Sequence, residues 1–159
     1  MLEIQLLLLL FVANGSPVVA RALFNDWFCY PLDGDQKFFD GQPLLGASKT
    51  IRGVLSSVVV TALVAMLAGF EWELGASVAI LAMVGDVMSS FVKRRLKKPP
   101  SSQAIGLDQI PESLLPLIFL KSLLALSYTD ILLLTMVFML GSLLLSQLLY
   151  KLKIRNKPY

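Results

Sequence analysis

LGASVAILAMVGDVMSSFVKRRLKKPP, residues 74–100, begins as an uninterrupted apolar run and closes on Lys93, Arg94, Arg95, Lys97 and Lys98 ahead of Pro99 and Pro100. The run is close to the roughly 20 residues that carry a helix across about 30 Å of hydrocarbon. Basic residues packed against one end of such a run mark the side of the membrane on which that end stays. One acid, Asp86, stands inside it.

Working outward, comparable runs lie at 4–23, 54–70 and 131–149, with a shorter one at 114–127 that carries Lys121. With 56% hydrophobic residues and a mean hydropathy of +0.72, the chain is too apolar for a water-facing surface. The expected fold is all-α: an integral membrane bundle of five transmembrane helices with two cytoplasmic loops, 24–53 and 93–113, forming one catalytic domain over residues 1–159. A signal peptide is the competing reading of the first run. Its start carries Glu3 without Lys or Arg, and Asn14, Gly15, Ser16 and Pro17 break the helix, so it is expected to remain as a span.

Charge sets the orientation. Five crossings put Lys37, Lys49, Arg52, the cluster Lys93 to Lys98, and Lys151, Lys153, Arg155 and Lys157 on one side. Glu3, Glu71, Glu73 and Asp130 fall on the other. The positive-inside rule then predicts a multi-pass protein of the cell membrane, its N-terminus outside and its C-terminus and both loops cytoplasmic. The outer connections are too short to hold a site. Nucleic acid is not an expected partner, because no basic, aromatic-rich domain stands outside the membrane.

Composition narrows the chemistry. A single cysteine, Cys29, excludes an internal disulfide, and the absence of histidine removes the usual imidazole base. Carboxylates, Lys, Arg and small polar groups remain. Asp86, Ser89, Ser90 and Lys93 stand at offsets 0, 3, 4 and 7 and share one helix face. An intramembrane acid needs a cation, a metal or water; an Asp–Lys pair or a helix–helix hydrogen bond would also satisfy it. The basic cluster alone reads equally as a topology anchor, but anchoring does not call for Asp108 and Glu112 returning after the prolines. Mg²⁺ takes one or two carboxylates plus phosphate oxygens and water, while Lys and Arg neutralise the rest of a polyphosphate. Asp86, Asp108 and Glu112 with Lys93 and Arg94 therefore suggest a metal–nucleotide site.

Two further stretches bear on it. Gly46-Ala-Ser-Lys49-Thr50 is no P-loop, since two residues separate Gly46 from Lys49. Lys49, Thr50 and Arg52 still offer phosphate donors, or serve as snorkelling anchors. Pro17 frees a backbone carbonyl inside the first span, and Asn14 beside it is either part of a kink or a site residue. An alternative function, a small ion or proton transporter, would use Asp86 and Lys121 as a charged pathway.

The stretches NGSPV (14–18), PLDGDQKFFDGQPLLGASKTIRG (31–53), GDVMSSFVKRRLKKPP (85–100) and GLDQIPES (106–113) resemble the archaeal CDP-archaeol synthases, relatives of the CDP-diacylglycerol synthases. Asp86, Ser90, Lys93 and Arg94 match the spacing of the broader family's Asp, Ser and Lys-Arg, and Leu107-Asp108 with Glu112 resembles its later Leu-Asp-Arg motif. Gln109 stands in place of the Arg, the further acid lies one residue on, a Gly-His-Gly-Gly element is missing, and Ser101 stands where glycine is expected. These departures favour the ether-lipid branch. The resemblance implies CTP, an isoprenoid glycerol ether phosphate lipid and Mg²⁺ as partners. It assigns Asp86, Asp108 and Glu112 to the metal, Lys49, Lys93 and Arg94 to the triphosphate, and Asn14, Thr50 and Ser90 to secondary contacts, with Arg52 and Ser89 nearby. Asp86, Lys93 and Asp108 are the implied catalytic residues.

Overall fold

In the computed structural model, which describes residues 1–25 and 27–152, five helices run in chain order: α1 Leu2–Phe24, α2 Ile51–Leu67, α3 Trp72–Arg95, α4 Gln109–Phe119 and α5 Tyr128–Lys151. The basic tail positions Lys153, Arg155 and Lys157 lie outside the described residues. Three helices, α1, α3 and α5, are long and apolar enough to cross a membrane, while α2 has 17 residues and α4 only 11. The all-helical bundle agrees with the sequence reading. The fourth element does not have the expected bounds.

Instead of 114–127, α4 starts five residues earlier and stops at Phe119, with turns through 120–125. At about 16 Å it covers half a bilayer. Its start is fixed by Gly85, about 15 Å along α3 from Arg95. A Cβ on Gly85 would fall onto the carbonyl of Pro111 and lie 2.7 Å from the nitrogen of Glu112, so the first turn of α4 presses directly on the middle of α3. The loop 96–108 therefore runs back along the last turns of α3, where Ser102 and Asp108 meet Lys93 and Pro99 meets Arg94. Irregular backbone at that depth is tolerated where it lines a protein cavity.

Proline leaves α1 intact. The helix runs unbroken through Pro17, contrary to the expected interruption at Asn14 to Pro17. The carbonyl that Pro17 cannot serve is that of Ala13, and the buried Ser57 hydroxyl of α2 donates to it at 2.7 Å. A neighbouring helix thus supplies the bond that the proline removes.

Small residues let α2 come that close. Gly53, Ser57, Thr61 and Ala65 recur at helical spacing and are all buried. Thr50 caps the helix, its hydroxyl accepting from the Gly53 amide at 3.1 Å. The same stripe also admits α3: a Cβ on Gly75 would meet the Cβ of Ala65 at 2.5 Å.

The end of the bundle away from the basic residues is a packed apolar plug. Leu6, Leu9 and Leu10 of α1, Val78 of α3, Leu117 of α4, Leu126, and Ile131, Leu134 and Phe138 of α5 form its core. Gln5 donates to the Ala68 carbonyl there, and Ser127 with Asp130 makes a reciprocal capping box at the start of α5. Toward the other end residues of both α1 and α5 line a cavity. Phe11 stacks on Phe138 at 5.2 Å and lies over Gly141, where any side chain would strike its ring. Phe11 and Phe138 themselves line that cavity.

Candidate active site

The cavity measures about 890 Å³. One wall comes from α1 (Asn14, Val18, Arg21, Ala22), another from α3 (Asp86, Ser90, Lys93, Arg94), and the acids Asp108 and Glu112 with Gln109 close it from α4. Ser48 and Lys49 reach in from the first loop, and Ser142, Leu145, Ser146 and Leu149 of α5 face them. Polar groups crowd the α3–α4 side. The α5 side is mainly apolar.

Two ion pairs organise the polar side. Lys49 Nζ lies 2.5 Å from both carboxylate oxygens of Asp86. Lys93 Nζ lies 2.6 Å from Asp108 Oδ1, a charge contact, and donates a hydrogen bond to the Ser102 carbonyl at 3.1 Å. Asp108 also accepts from the Ala104 amide at 2.9 Å, so the lysine and the acid together hold the loop 102–108 over the cavity. Glu112 makes a side-chain contact with Asp86.

Lys49 reaches Asp86 because a non-helical loop carries it there. Asp33 is the hub of that loop: its carboxylate accepts from the amides of Leu45 (2.8 Å), Gly46 (3.1 Å) and Asp35 (3.1 Å). Gly46 has φ +95°, and a Cβ there would sit 3.2 Å from an Arg94 guanidinium nitrogen and 3.3 Å from Pro100, so this glycine is where the two loops cross. Arg95 fastens the outside, donating to Asp40 at 3.0 Å and to the Pro43 carbonyl at 2.7 Å, with its guanidinium over Phe38 and Phe91. Arg95, which reads in the sequence as an anchor, is a clasp between α3 and the loop.

Burial pushes the Asp33 carboxyl up, but the three amides outweigh it and hold it below the ordinary aspartate range. A depressed folded-state value means that Asp33 stabilises the loop above the unfolded pKa of about 3.9 and loses that contribution as pH falls through the lower folded value. Amide exchange at Leu45 and Gly46, corrected for its intrinsic pH dependence, should stay slow from pH 7 to about 4 and accelerate only below that. Early acceleration near pH 6 would show that Asp33 does not hold the loop.

The expected site residues divide. Asn14, Lys49, Asp86, Ser90, Lys93, Arg94, Asp108 and Glu112 all line the one cavity. Three do not. The Ser89 hydroxyl is buried and donates back to the Asp86 carbonyl at 2.9 Å, because an offset of three on α3 turns it off the cavity face. Thr50 spends its side chain capping α2, and Arg52 donates to the carbonyls of Asn25 and Trp27; both line a smaller neighbouring cavity of about 80 Å³. Arg94 is buried and gives one nitrogen to the Pro99 carbonyl at 2.8 Å, so it braces the double-proline turn as well as facing the cavity. Ser101, where glycine is expected, has φ +59°, the left-handed conformation that glycine adopts without strain.

The three acids do not gather on one spot. Among the described residues no group of three or more His, Cys, Asp and Glu side chains stands close enough to hold a metal together. Lys93 draws Asp108 to its own side, leaving Asp86 and Glu112 as the touching pair. Two carboxyl groups make such a contact over a shared proton or a shared cation, and two carboxylates suffice for Mg²⁺ when phosphate and water complete its shell. The residues present fit a divalent ion at that pair.

Arg21 and the pair Ser142 and Ser146 were not among the expected residues. The signal for the serines is their helical spacing in an otherwise apolar segment, and for Arg21 a cation near the end of the first span.

A sequence model of the family described as CarS-like, CDP-archaeol synthase matches residues 1–159. The chain belongs to the CDP-archaeol synthase family, whose members are CTP-dependent transferases. It is 33% identical over 155 residues to the CDP-archaeol synthase of Sulfurisphaera tokodaii, covering 93% of this chain and 89% of that one. It is 41% identical over 105 residues to the synthase of Thermofilum pendens, covering 63% of this chain but only 52% of that relative, about half its length. Among solved structures it is similar, with a TM-score of 0.72 and 31% identity over 88% of this chain and 89% of the other, to one described as an intramembrane enzyme for archaeal membrane lipids biosynthesis. The apolar helices and that kinship make this family member a membrane protein.

Proposed function

We propose that this protein, as a single catalytic domain, transfers the cytidylyl group of CTP to the phosphate of 2,3-bis-O-geranylgeranylglycerol phosphate, releasing pyrophosphate and forming the CDP-lipid, with Mg²⁺ as cofactor. The observation that carries this reading is one cavity with paired acids and lysines on its α3–α4 side and an apolar wall on α5. A nucleotide triphosphate needs the first. A lipid needs the second.

A phosphate monoester is largely anionic at neutral pH, so its oxygen attacks the α-phosphorus without a general base, which accords with a chain lacking histidine. What remains is positioning and charge neutralisation. Lys49 and Lys93 hold the triphosphate oxygens, and Ser90 and Asn14 add neutral donors along the same wall. Asp108 keeps Lys93 and the loop 102–108 in place. Asp86 and Glu112 would hold Mg²⁺, with Asp108 beside them. When bound, the ion neutralises the nucleotide phosphates and the departing pyrophosphate.

The orientation proposed with this reading puts the N-terminus outside and the cavity mouth on the cytoplasmic side, where Lys37, Lys97 and Lys98 lie and where CTP is available. Among the described residues the transporter alternative finds no polar path: the apolar plug closes the far half, and Lys121 lies 4.5 Å from the Tyr128 ring. Purified protein incubated with CTP, Mg²⁺ and either the ether-isoprenoid phosphate or a diacyl phosphate should yield CDP-lipid and pyrophosphate from the ether lipid. No product from either lipid would remove the proposal.

A further inference from the structure

The cations around the two cavities are nearly all committed. Lys49 sits on Asp86, Lys93 on Asp108, Arg94 on the Pro99 carbonyl, and Arg52 on the carbonyls of Asn25 and Trp27. Arg21 is different. It lines both the large and the small cavity, it is exposed, and among the described residues it makes no hydrogen bond or ion pair. A guanidinium left without an acid on the wall of a site is free to meet an anion brought by a substrate.

Its place says which anion. Arg21 stands in the last turn of α1 and lines the large cavity together with the apolar Leu145 and Leu149 of α5, while in the small cavity it shares the wall with the Lys49–Asp86 pair. Arginine at a helix end extends to the headgroup level while its stem stays in the apolar layer. The planar fork of five donors fits a phosphate with two parallel hydrogen bonds. We propose that Arg21 binds the phosphate monoester of the lipid substrate, setting the headgroup beside the nucleotide. The assignment rests on the reading of the site as a lipid-phosphate cytidylyltransferase.

Binding tests it without relying on turnover. A fluorescent dialkylglycerol phosphate and the same dialkylglycerol without phosphate are titrated into wild type, Arg21→Gln and Arg21→Lys in nanodiscs, with inorganic phosphate as competitor. CTP binding is followed separately by calorimetry. Wild type should prefer the phosphate lipid. Arg21→Gln should lose about tenfold of that preference, the loss of one charge-assisted contact, while CTP affinity and melting temperature stay unchanged. Arg21→Lys should recover part of it, since the charge returns without the fork. In turnover, the same variants should raise KM for the lipid and leave KM for CTP alone.

An unchanged lipid preference in Arg21→Gln would overturn the assignment. So would a parallel loss of CTP affinity, which would move Arg21 to the nucleotide. Competition by inorganic phosphate as effective as that by the lipid would show a free-anion site instead of a headgroup site. Lack of CDP-lipid from wild type would count against the cytidylyltransferase reading alone, because the binding arms still report on Arg21.

Discussion

Asp86→Asn is expected to lower CTP turnover on the order of a thousandfold while leaving membrane insertion and yield near those of wild type. Two contacts meet at this carboxylate, the Lys49 ammonium on both oxygens and the Glu112 side chain, and the residue lines the cavity. The amide keeps the size and removes the charge, so Lys49 loses its anchor and the acid pair loses half its capacity for a cation. Removing one group that stabilises developing charge typically costs a hundredfold to a thousandfold, on the order of 3–4 kcal/mol. Because this one also positions a lysine, the upper end applies. Initial rates of pyrophosphate release, read beside a melting curve, make the test. Wild-type turnover in the variant would take Asp86 out of the mechanism.

Gly85→Ala should damage the site through packing alone. The added Cβ would overlap the Pro111 carbonyl and crowd the Glu112 nitrogen, and those atoms are backbone at the start of α4 and cannot rotate aside. Relief requires α4 to move off α3, which separates Glu112 from Asp86 and opens the seal made by the loop 102–108. Overpacking of this kind costs about 1–3 kcal/mol, and here more, because backbone is pushed against backbone. A fall in melting temperature together with a drop in turnover of at least about a hundredfold is expected, with Gly141→Ala, which strikes only the Phe11 ring, milder on both counts. Equal behaviour of Gly85→Ala and wild type would show that the two helices are not in contact at that point.

Much of this was legible in the chain because it rests on period and charge. The helical offsets of Asp86, Ser90 and Lys93 put them on one cavity wall, and the acids beyond the double proline do return to that wall. Ser89 lies off that wall because an offset of three sits at the edge of the face, where the hydroxyl finds its own backbone first. The fourth helix was misplaced for a different reason. An apolar run reports what can lie in hydrocarbon, whereas the start of α4 is decided by Gly85, a residue 24 positions earlier whose missing side chain admits Pro111. The unbroken α1 has the same character: the hydroxyl that repairs the gap at Pro17 comes from Ser57, on another helix. Long-range partners of this sort leave no local signal. Nor does the division of the three acids, which follows from which lysine each can reach.

The order of the two ion pairs along the chain has a consequence for biogenesis. Ribosomal synthesis runs from the N-terminus, and earlier segments can settle before later ones are made. Lys49 precedes Asp86, and Lys93 precedes Asp108. Asp86 and Asp108 therefore each arrive after the ammonium that will neutralise them. For these two acids, a nascent chain so arranged never has to leave the carboxylate waiting for a counter-charge still to be translated.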